Sequence, residues 1–551
     1  MVIQSGTQGM QFSQMNSNAR LSITNMGGLS AAGITVMDTT TNTLQYFNGT
    51  VWVSLTASGG APGWLTIGNA GTTDRTNFIG TTDNIPLNFR VNNQPSGRID
   101  QTSQNTFFGY LSGFNTNSMS TSGAGNTAYG FQSLFANTFG SDNLAVGFKS
   151  LYSNTYGGLN VAIGNQSLYT NTQGEENVAV GYGSLRLNTT GFINTALGYS
   201  SLSNNSTGAG NTAIGNFSLG SNTTGYSNVA IGTYALYSNA TASNIVAIGD
   251  SALYNTVVNG NIAIGSKALY SNSTGMSNVA IGDSALYSNN GNGVFNIAIG
   301  DLSLFSNTIG SSNTAVGINA LESNTTGKGN TASGHASLTN NSTGFANSAF
   351  GAGALFSNLT GQGLTAIGNS ADVGADGLNN ATAIGNLAVV NSSNTIQLGD
   401  INVTAVNSYG TFNTISDGRF KFNIREDVNG LDFIMKLRPV TYQLDTRKIQ
   451  NSLLSGKSFA ALGNTDNNEI HSMSIRRTGF IAQEVEKAAD ATGFNFDAIK
   501  KPENEKDHYS LSYEEFVVPL VKAVQEQQQQ ITDLKKEIED LKKLVIEISK
   551  K

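Results

Sequence analysis

The sequence predicts a mainly β protein, a rod of stacked β coils followed by a small α+β domain that ends in a long helix. Three observations carry this. A glycine-anchored unit recurs every 17 residues through the middle of the 551-residue chain. Charge is almost absent from that middle: residues 101–415 hold 14 Lys, Arg, Asp or Glu, whereas residues 416–551 hold 43. Pro is absent from residue 96 to 438, as expected where each coil needs its backbone N–H for a ladder. Composition removes other classes. Cys is 0, so no disulfide and no Cys-ligated metal site exists. The three histidines, His335, His471 and His508, are scattered, so no metal and no cofactor is expected. Gly is 64 and Pro only 6, without a three-residue period, which excludes collagen. No apolar run approaches a membrane span, and the start shows no secretory pattern. The low-charge region has no basic patch, so no nucleic-acid partner is expected.

Residues 1–104 read as an N-terminal β module for attachment or capping. Asn48-Gly49 lies between alternating apolar runs and signals a hairpin. Residues 85–100 suggest another short strand. Tyr46 and Trp52 could bind a ligand, but cross-strand packing in the hairpin is the simpler use.

Residues 105–390 form the repeat. The anchor Gly falls at 109, 130, 147, 164 and onward to 385, and the unit reads N-x-A-I-G-x-x-S/A-L-x-x-N-x-T-G-x-x. Asn261-Ile262-Ala263-Ile264-Gly265 shows it clearly. Seventeen residues are too few for a two-helix repeat, so one short strand plus turns per coil is expected. Leu stands four places after the Gly in all 14 copies from Gly130 to Gly351. With the Ile or Val before the Gly and one Ala, each coil offers a thin core. Lateral association of several chains is therefore expected. Asn stands seven places after the Gly in 13 of those copies, and another opens the strand, as at Asn160, Asn177, Asn194 and Asn211. These Asn either ladder from coil to coil or form turns at positive φ. At the inter-strand spacing the repeat makes a rod on the order of 75 Å long. The Asn-x-Ala-Ile-Gly strand resembles the head repeats of trimeric autotransporter adhesins and of fibrous phage-type tail proteins. That resemblance implies a homotrimer of stacked β coils.

Residues 391–415 are a junction, and the chemistry lies at its end. The chain reads Thr414-Ile415-Ser416-Asp417-Gly418-Arg419-Phe420-Lys421, then Gly479-Phe480-Ile481-Ala482-Gln483-Glu484-Val485, then Leu511-Ser512-Tyr513-Glu514-Glu515. This ordered set resembles the intramolecular chaperone auto-processing domain, the endosialidase-type chaperone peptidase, of phage tail spikes, neck appendages and endosialidases. The resemblance covers about residues 412–551, with 416–512 as the domain and 513–551 as helix or coiled coil. It implies a detachable trimerisation chaperone that cuts itself off after folding. It also implies Ser416 as nucleophile, Lys421 as general base and Ile415–Ser416 as the scissile bond. A Ser hydroxyl needs a base to become a good nucleophile. An ordinary Lys is protonated at neutral pH, so Lys421 would need burial, or a nearby cation such as Arg419. On a straight strand an offset of five residues puts the two side chains on opposite faces. The Asp417-Gly418 turn can correct that.

From Val517 to Ile548 apolar residues recur in steps of three and four, interrupted by Gln527, as in a coiled-coil seam. The Ile and Leu placement alone leans to two strands, while the resemblance implies three. A single amphipathic helix packed on its own domain is the competing arrangement. The expected protein is a trimeric tail fibre of a phage or contractile injection particle. Its N-terminal module would hold a baseplate or cell-surface anchor, and it would reach a host-surface receptor. A bacterial cell-surface adhesin and a glycan-degrading tail spike are the alternatives. Paired carboxylates would mark the last, and acids in the rod are sparse.

Overall fold

The computed structural model describes residues 13–16, 18–19, 34–55, 70–116, 122–410, 414–446, 448–449, 473–505 and 507–550. His471 lies outside them. The described chain forms two compact units, Met1–Ile85 and Pro86–Lys551.

In the first unit the strands Thr35–Asp38, Thr43–Phe47 and Trp52–Ser54 pair antiparallel in succession. The predicted hairpin is present. Asn48 accepts the N–H groups of Thr50 and Val51 on its side-chain oxygen, and Gly49 takes φ +97°. Phe47 and Trp52 face one another across the strands with ring centroids 5.4 Å apart.

The second unit begins with a hairpin, Leu87–Val91 against Gln94–Asp100, whose second strand pairs antiparallel with Asn105–Phe108. From there each coil contributes one three-residue strand, paired parallel with the coil before and the coil after. Val178-Ala179-Val180 aligns with Val161-Ala162-Ile163 on one side and Thr195-Ala196-Leu197 on the other. The ladder runs to Ile396–Leu398.

Every coil turns on its anchor glycine, which sits at φ between +122° and +139°. At Gly215 an added Cβ would lie 2.6 Å from the carbonyl oxygen of Gly232 in the next coil. Only a residue without a side chain permits that stacking. Other corners are left-handed without glycine. The buried Leu four places on adopts φ between +48° and +55° from Leu134 to Leu355. That conformation costs about 1–2 kcal/mol, and full burial of a Leu returns about 1.5–3 kcal/mol. The apolar gain therefore meets the strain.

The interior differs from expectation in one respect. The central Ala of each strand is fully buried, as Ala162, Ala179 and Ala196 are. The Val or Ile before the Gly points outward and is partly or largely exposed, as at Ile163, Ile214 and Ile264. Side chains alternate along a strand, so an inward Ala forces both neighbours out. The coil is too narrow for the reverse.

Asparagine fills what remains inside. Asn177 donates through Nδ2 to Asn160 Oδ1 at 3.1 Å and to the Gly191 carbonyl at 2.9 Å. Asn188 donates to Asn171 Oδ1 at 2.7 Å and to the same Gly191 carbonyl at 2.9 Å. All of these Asn are fully buried, and none of them has positive φ. The ladder reading holds, and the left-handed corners belong to other residues. Ile245 and Thr256 stand where two ladder Asn would be. One chain thus closes its own core. The apolar surface left open is the outer face of the sheet.

The C-terminal part packs Phe433, Val485, Ala488, Ala489, Phe496, Ala498 and Phe516 into a small core. Val440–Gln443 pairs antiparallel with Arg476–Gly479, and Ile499–Lys500 with Ser510–Leu511. The helix Ala482–Thr492 closes on Gly493, which takes the left-handed cap at φ +63°. A 3-10 turn, Tyr513–Phe516, leads into the helix Val517–Ser549. No helix among the described residues is long and apolar enough to cross a membrane.

Candidate functional site

The site forms where the rod hands over to the charged domain. Asp417 caps a single 3-10 turn, Gly418–Phe420, by accepting the Arg419 N–H on its side chain at 2.9 Å. The Arg419 guanidinium returns to the same carboxylate, with Nε 2.9 Å from Oδ2. This clasp holds the Asp417 carboxyl below the ordinary carboxylate range, chiefly through the side-chain bonds from Arg419. Arg419 is raised in turn by Asp417. The turn reverses the geometry that a straight strand would give. Lys421 Nζ donates to Ser416 Oγ at 2.8 Å. The Asp417-Gly418 turn therefore brings together two side chains that a five-residue offset would separate.

The surroundings differ from expectation. Lys421 is exposed, and Arg419 is engaged by Asp417 and lies over the Phe420 ring, 5.8 Å from its centroid. Among the described residues of one chain, Lys421 therefore gains neither burial nor a free neighbouring cation. Ile415, at the expected cut, is 85% exposed. Phe420, Phe422 and Ile424 are exposed as well, with Phe422 at 91%. An apolar row of this kind beside a polar pair is an uncovered surface. The apolar residues of Phe420-Lys421-Phe422-Asn423-Ile424 were its sequence signal, although the segment is no strand: Phe420 ends the 3-10 turn and Asn423 takes φ +54°.

Further residues anchor the domain, and sequence reasoning did not find them. Glu526 on the long helix accepts the Leu431 N–H at 2.7 Å, which ties the short helix Leu431–Ile434 to it. Tyr513 Oη accepts the Phe480 N–H at 3.0 Å, so two of the quoted motifs meet in space. Arg438 pairs with Glu484. Lys500 donates to the hydroxyls of Ser392 and Thr395, and Asn504 donates to the Asn391 carbonyl at 2.9 Å. The domain thus contacts the last coil directly. No spacing rule relates residues more than a hundred positions apart.

A solenoid rod joined to a compact α+β domain with a long terminal helix is the architecture of a fibre-type protein. Residues 416–494 match the family described as chaperone of endosialidase, Peptidase_S74. The match opens on Ser416 itself. The chain carries this chaperone domain behind its β-solenoid rod. No curated protein matches the chain.

Proposed function

We propose that the protein is a homotrimeric tail fibre of a phage or contractile injection particle. Its C-terminal domain drives trimerisation and then cuts the Ile415–Ser416 bond once. The observation that carries this reading is the 2.8 Å contact of Lys421 Nζ with Ser416 Oγ at the first residue of the chaperone match. In the reaction Lys421 accepts the Ser416 hydroxyl proton while Oγ attacks the Ile415 carbonyl carbon. The C–N bond breaks, the Ser416 amine takes the proton, and the Ile415 acyl group rests on Oγ as an ester. Water then hydrolyses the ester, giving an Ile415 carboxylate and restoring the Ser416 hydroxyl. Attack within the same chain makes this a single turnover.

Lys421 must be neutral to act as base, and assembly of several chains is what would cover it. Two uncovered surfaces support assembly. The outer sheet face carries Val, Ile and Thr without a Lys, Arg, Asp or Glu, from Leu144-Ala145-Val146 to Thr382-Ala383-Ile384. The long helix leaves Ile531, Leu534, Ile538, Leu541, Val545 and Ile548 exposed. Its seam is not packed on its own domain. The N-terminal module then serves the particle anchor, and the rod approaches a host-surface receptor.

The test is expression of the intact chain, followed by denaturing electrophoresis and mass measurement. Fragments ending at Ile415 and beginning at Ser416 are expected. Ser416→Ala should stay whole, and Lys421→Arg should stay whole or cleave at least about 100-fold more slowly. Full-length wild-type chain persisting in the assembled state removes the protease assignment.

A further inference from the structure

Near the middle of the rod one corner loses its bonds from coil to coil. In a regular coil that corner is crossed repeatedly. The N–H groups of Thr189, Thr190 and Gly191 all donate to the Ser206 carbonyl of the next coil. The Thr189 hydroxyl donates to it as well, at 2.9 Å. Asn205 Nδ2 donates to Asn188 Oδ1 at 2.8 Å, and Asn211 Nδ2 to Asn194 Oδ1 at 3.1 Å.

Between the coils that start at Gly232 and Gly249 these bonds are missing. Ile245 and Thr256 interrupt both Asn columns in one place. Ile245 has no polar side-chain group to offer. The Thr256 hydroxyl accepts from Asn272 at 3.2 Å, while Asn239 turns its Oδ1 back to the Ala242 N–H at 2.9 Å. Ala240 and Val257 stand where Thr189 carries its hydroxyl. The corner is also one residue short. Asn188 to Asn194 and Asn205 to Asn211 are steps of six, and Thr256 to Asn261 is a step of five. Val257 is 51% exposed, and a Cβ added at Gly260 would meet nothing within 4 Å. Between the Ser238 N–H bond to the Tyr254 carbonyl and the Val246 N–H bond to the Asn261 carbonyl, a single hydrogen bond crosses among the described residues. The Ser243 N–H donates to Asn259 Oδ1 at 2.8 Å.

The same two coils stay fastened elsewhere. Val246-Ala247-Ile248 pairs in register with Ile262-Ala263-Ile264. The Leu236 N–H donates to the Ala252 carbonyl at 2.9 Å. The rings of Tyr237 and Tyr254 stack with centroids 5.3 Å apart. Coils fastened on two sides and released on the third part by turning about the fastened sides.

We infer that this corner is a hinge in the rod, closed by one latch between Ser243 and Asn259. Local opening is drawn from the least bonded segments of a fold. Opening here widens one edge of the rod while the sheet stays whole, so the rod bends without unfolding. The hinge belongs to the coils of one chain and rests neither on self-cleavage nor on trimer formation.

The test is hydrogen exchange of the full-length Ser416→Ala chain, read by mass spectrometry at single-residue resolution and corrected for intrinsic rates. Ser243 is 3% exposed, so its amide exchanges when the corner parts. It should exchange at least about tenfold faster than the buried, bonded amides of Gly191 and Gly208 in regular corners. Val246 and Leu253, on the fastened sides, should stay within about threefold of their counterparts Thr195 and Leu202. Asn259→Ala, a change at an exposed position, should speed Ser243 by about fivefold or more. Ala240→Thr with Val257→Thr, which returns the hydroxyl column, should slow it by about threefold or more. Thermal melting checks that both variants remain folded. A Ser243 amide as slow as Gly191 overturns the inference. So does a Val246 or Leu253 amide as fast as Ser243, because the whole coil then unfolds, or a Ser243 rate unmoved by both variants in folded protein.

Discussion

Single side chains set the two decisive geometries of this molecule. At the junction the Asp417–Arg419 clasp shapes the turn that lets Lys421 reach Ser416. The Asp417 carboxyl is depressed by Arg419, and the sign of its linkage follows. The clasp is fully present above the ordinary carboxylate value and is lost as pH falls through the lower, folded-state value. A carbon-detected titration of Asp417 should therefore show a midpoint below about 3.9. A midpoint at or above that value contradicts the clasp. Inside the rod, Asn188 donates to Asn171 and Gly191 and accepts from Asn205 at 2.8 Å. Asn188→Ala takes the partner from Asn171 Oδ1 and from one Asn205 N–H, while the Gly191 carbonyl keeps Asn177, and a loss of about 2–4 kcal/mol is expected in denaturant melts. Thr190→Ala, at an exposed position of the same coil, should stay within about 0.5 kcal/mol.

At the scale of elements the coil and the helix answer to different periods. The strand triplet obeys alternation, so Ala goes in and Val or Ile goes out. The sequence showed which residues repeat but not which way they face. A three-residue strand has one central position, and from Ala128 to Ala383 the narrow bore holds only Ala there. The left-handed Leu corners also escaped sequence reasoning, because a Leu at positive φ runs against local propensity and is retained by burial. The terminal helix behaves oppositely. Its step of three and four was plain in the sequence, and the folded chain leaves that stripe exposed from Ile531 to Ile548. Leu541→Asp should therefore leave the domain core intact and reduce self-association, read by sedimentation velocity. An unchanged association state would remove the coiled-coil role of this helix.

At the scale of the molecule the question is what a chain of 57.6 kDa leaves uncovered. The outer sheet is uncharged and partly exposed, and the helix stripe and the row Phe420, Phe422 and Ile424 are apolar and exposed. Light scattering of the Ser416→Ala protein should give three times the chain mass, and Val246→Asp with Ile248→Asp on the sheet face should lower it. A monodisperse, folded wild-type monomer would remove the fibre assignment. Much of this was written in the sequence. The 17-residue period, the Asn and Leu columns, the Asn48-Gly49 hairpin and the Ser416 to Lys421 spacing are local patterns, and local patterns survive without coordinates. The rest was decided by tertiary structure. A lone coil was expected to bury too little, yet stacked Asn ladders close the core of one chain, so the case for association rests on its outer surface. Whether Asn177 bonds to Asn160 or turns the chain, whether Ile163 lies inside or outside, and whether Lys500 meets Ser392 all depend on how distant segments stack. Linear spacing fixes which side chains recur, and only the closed coil fixes what each one touches.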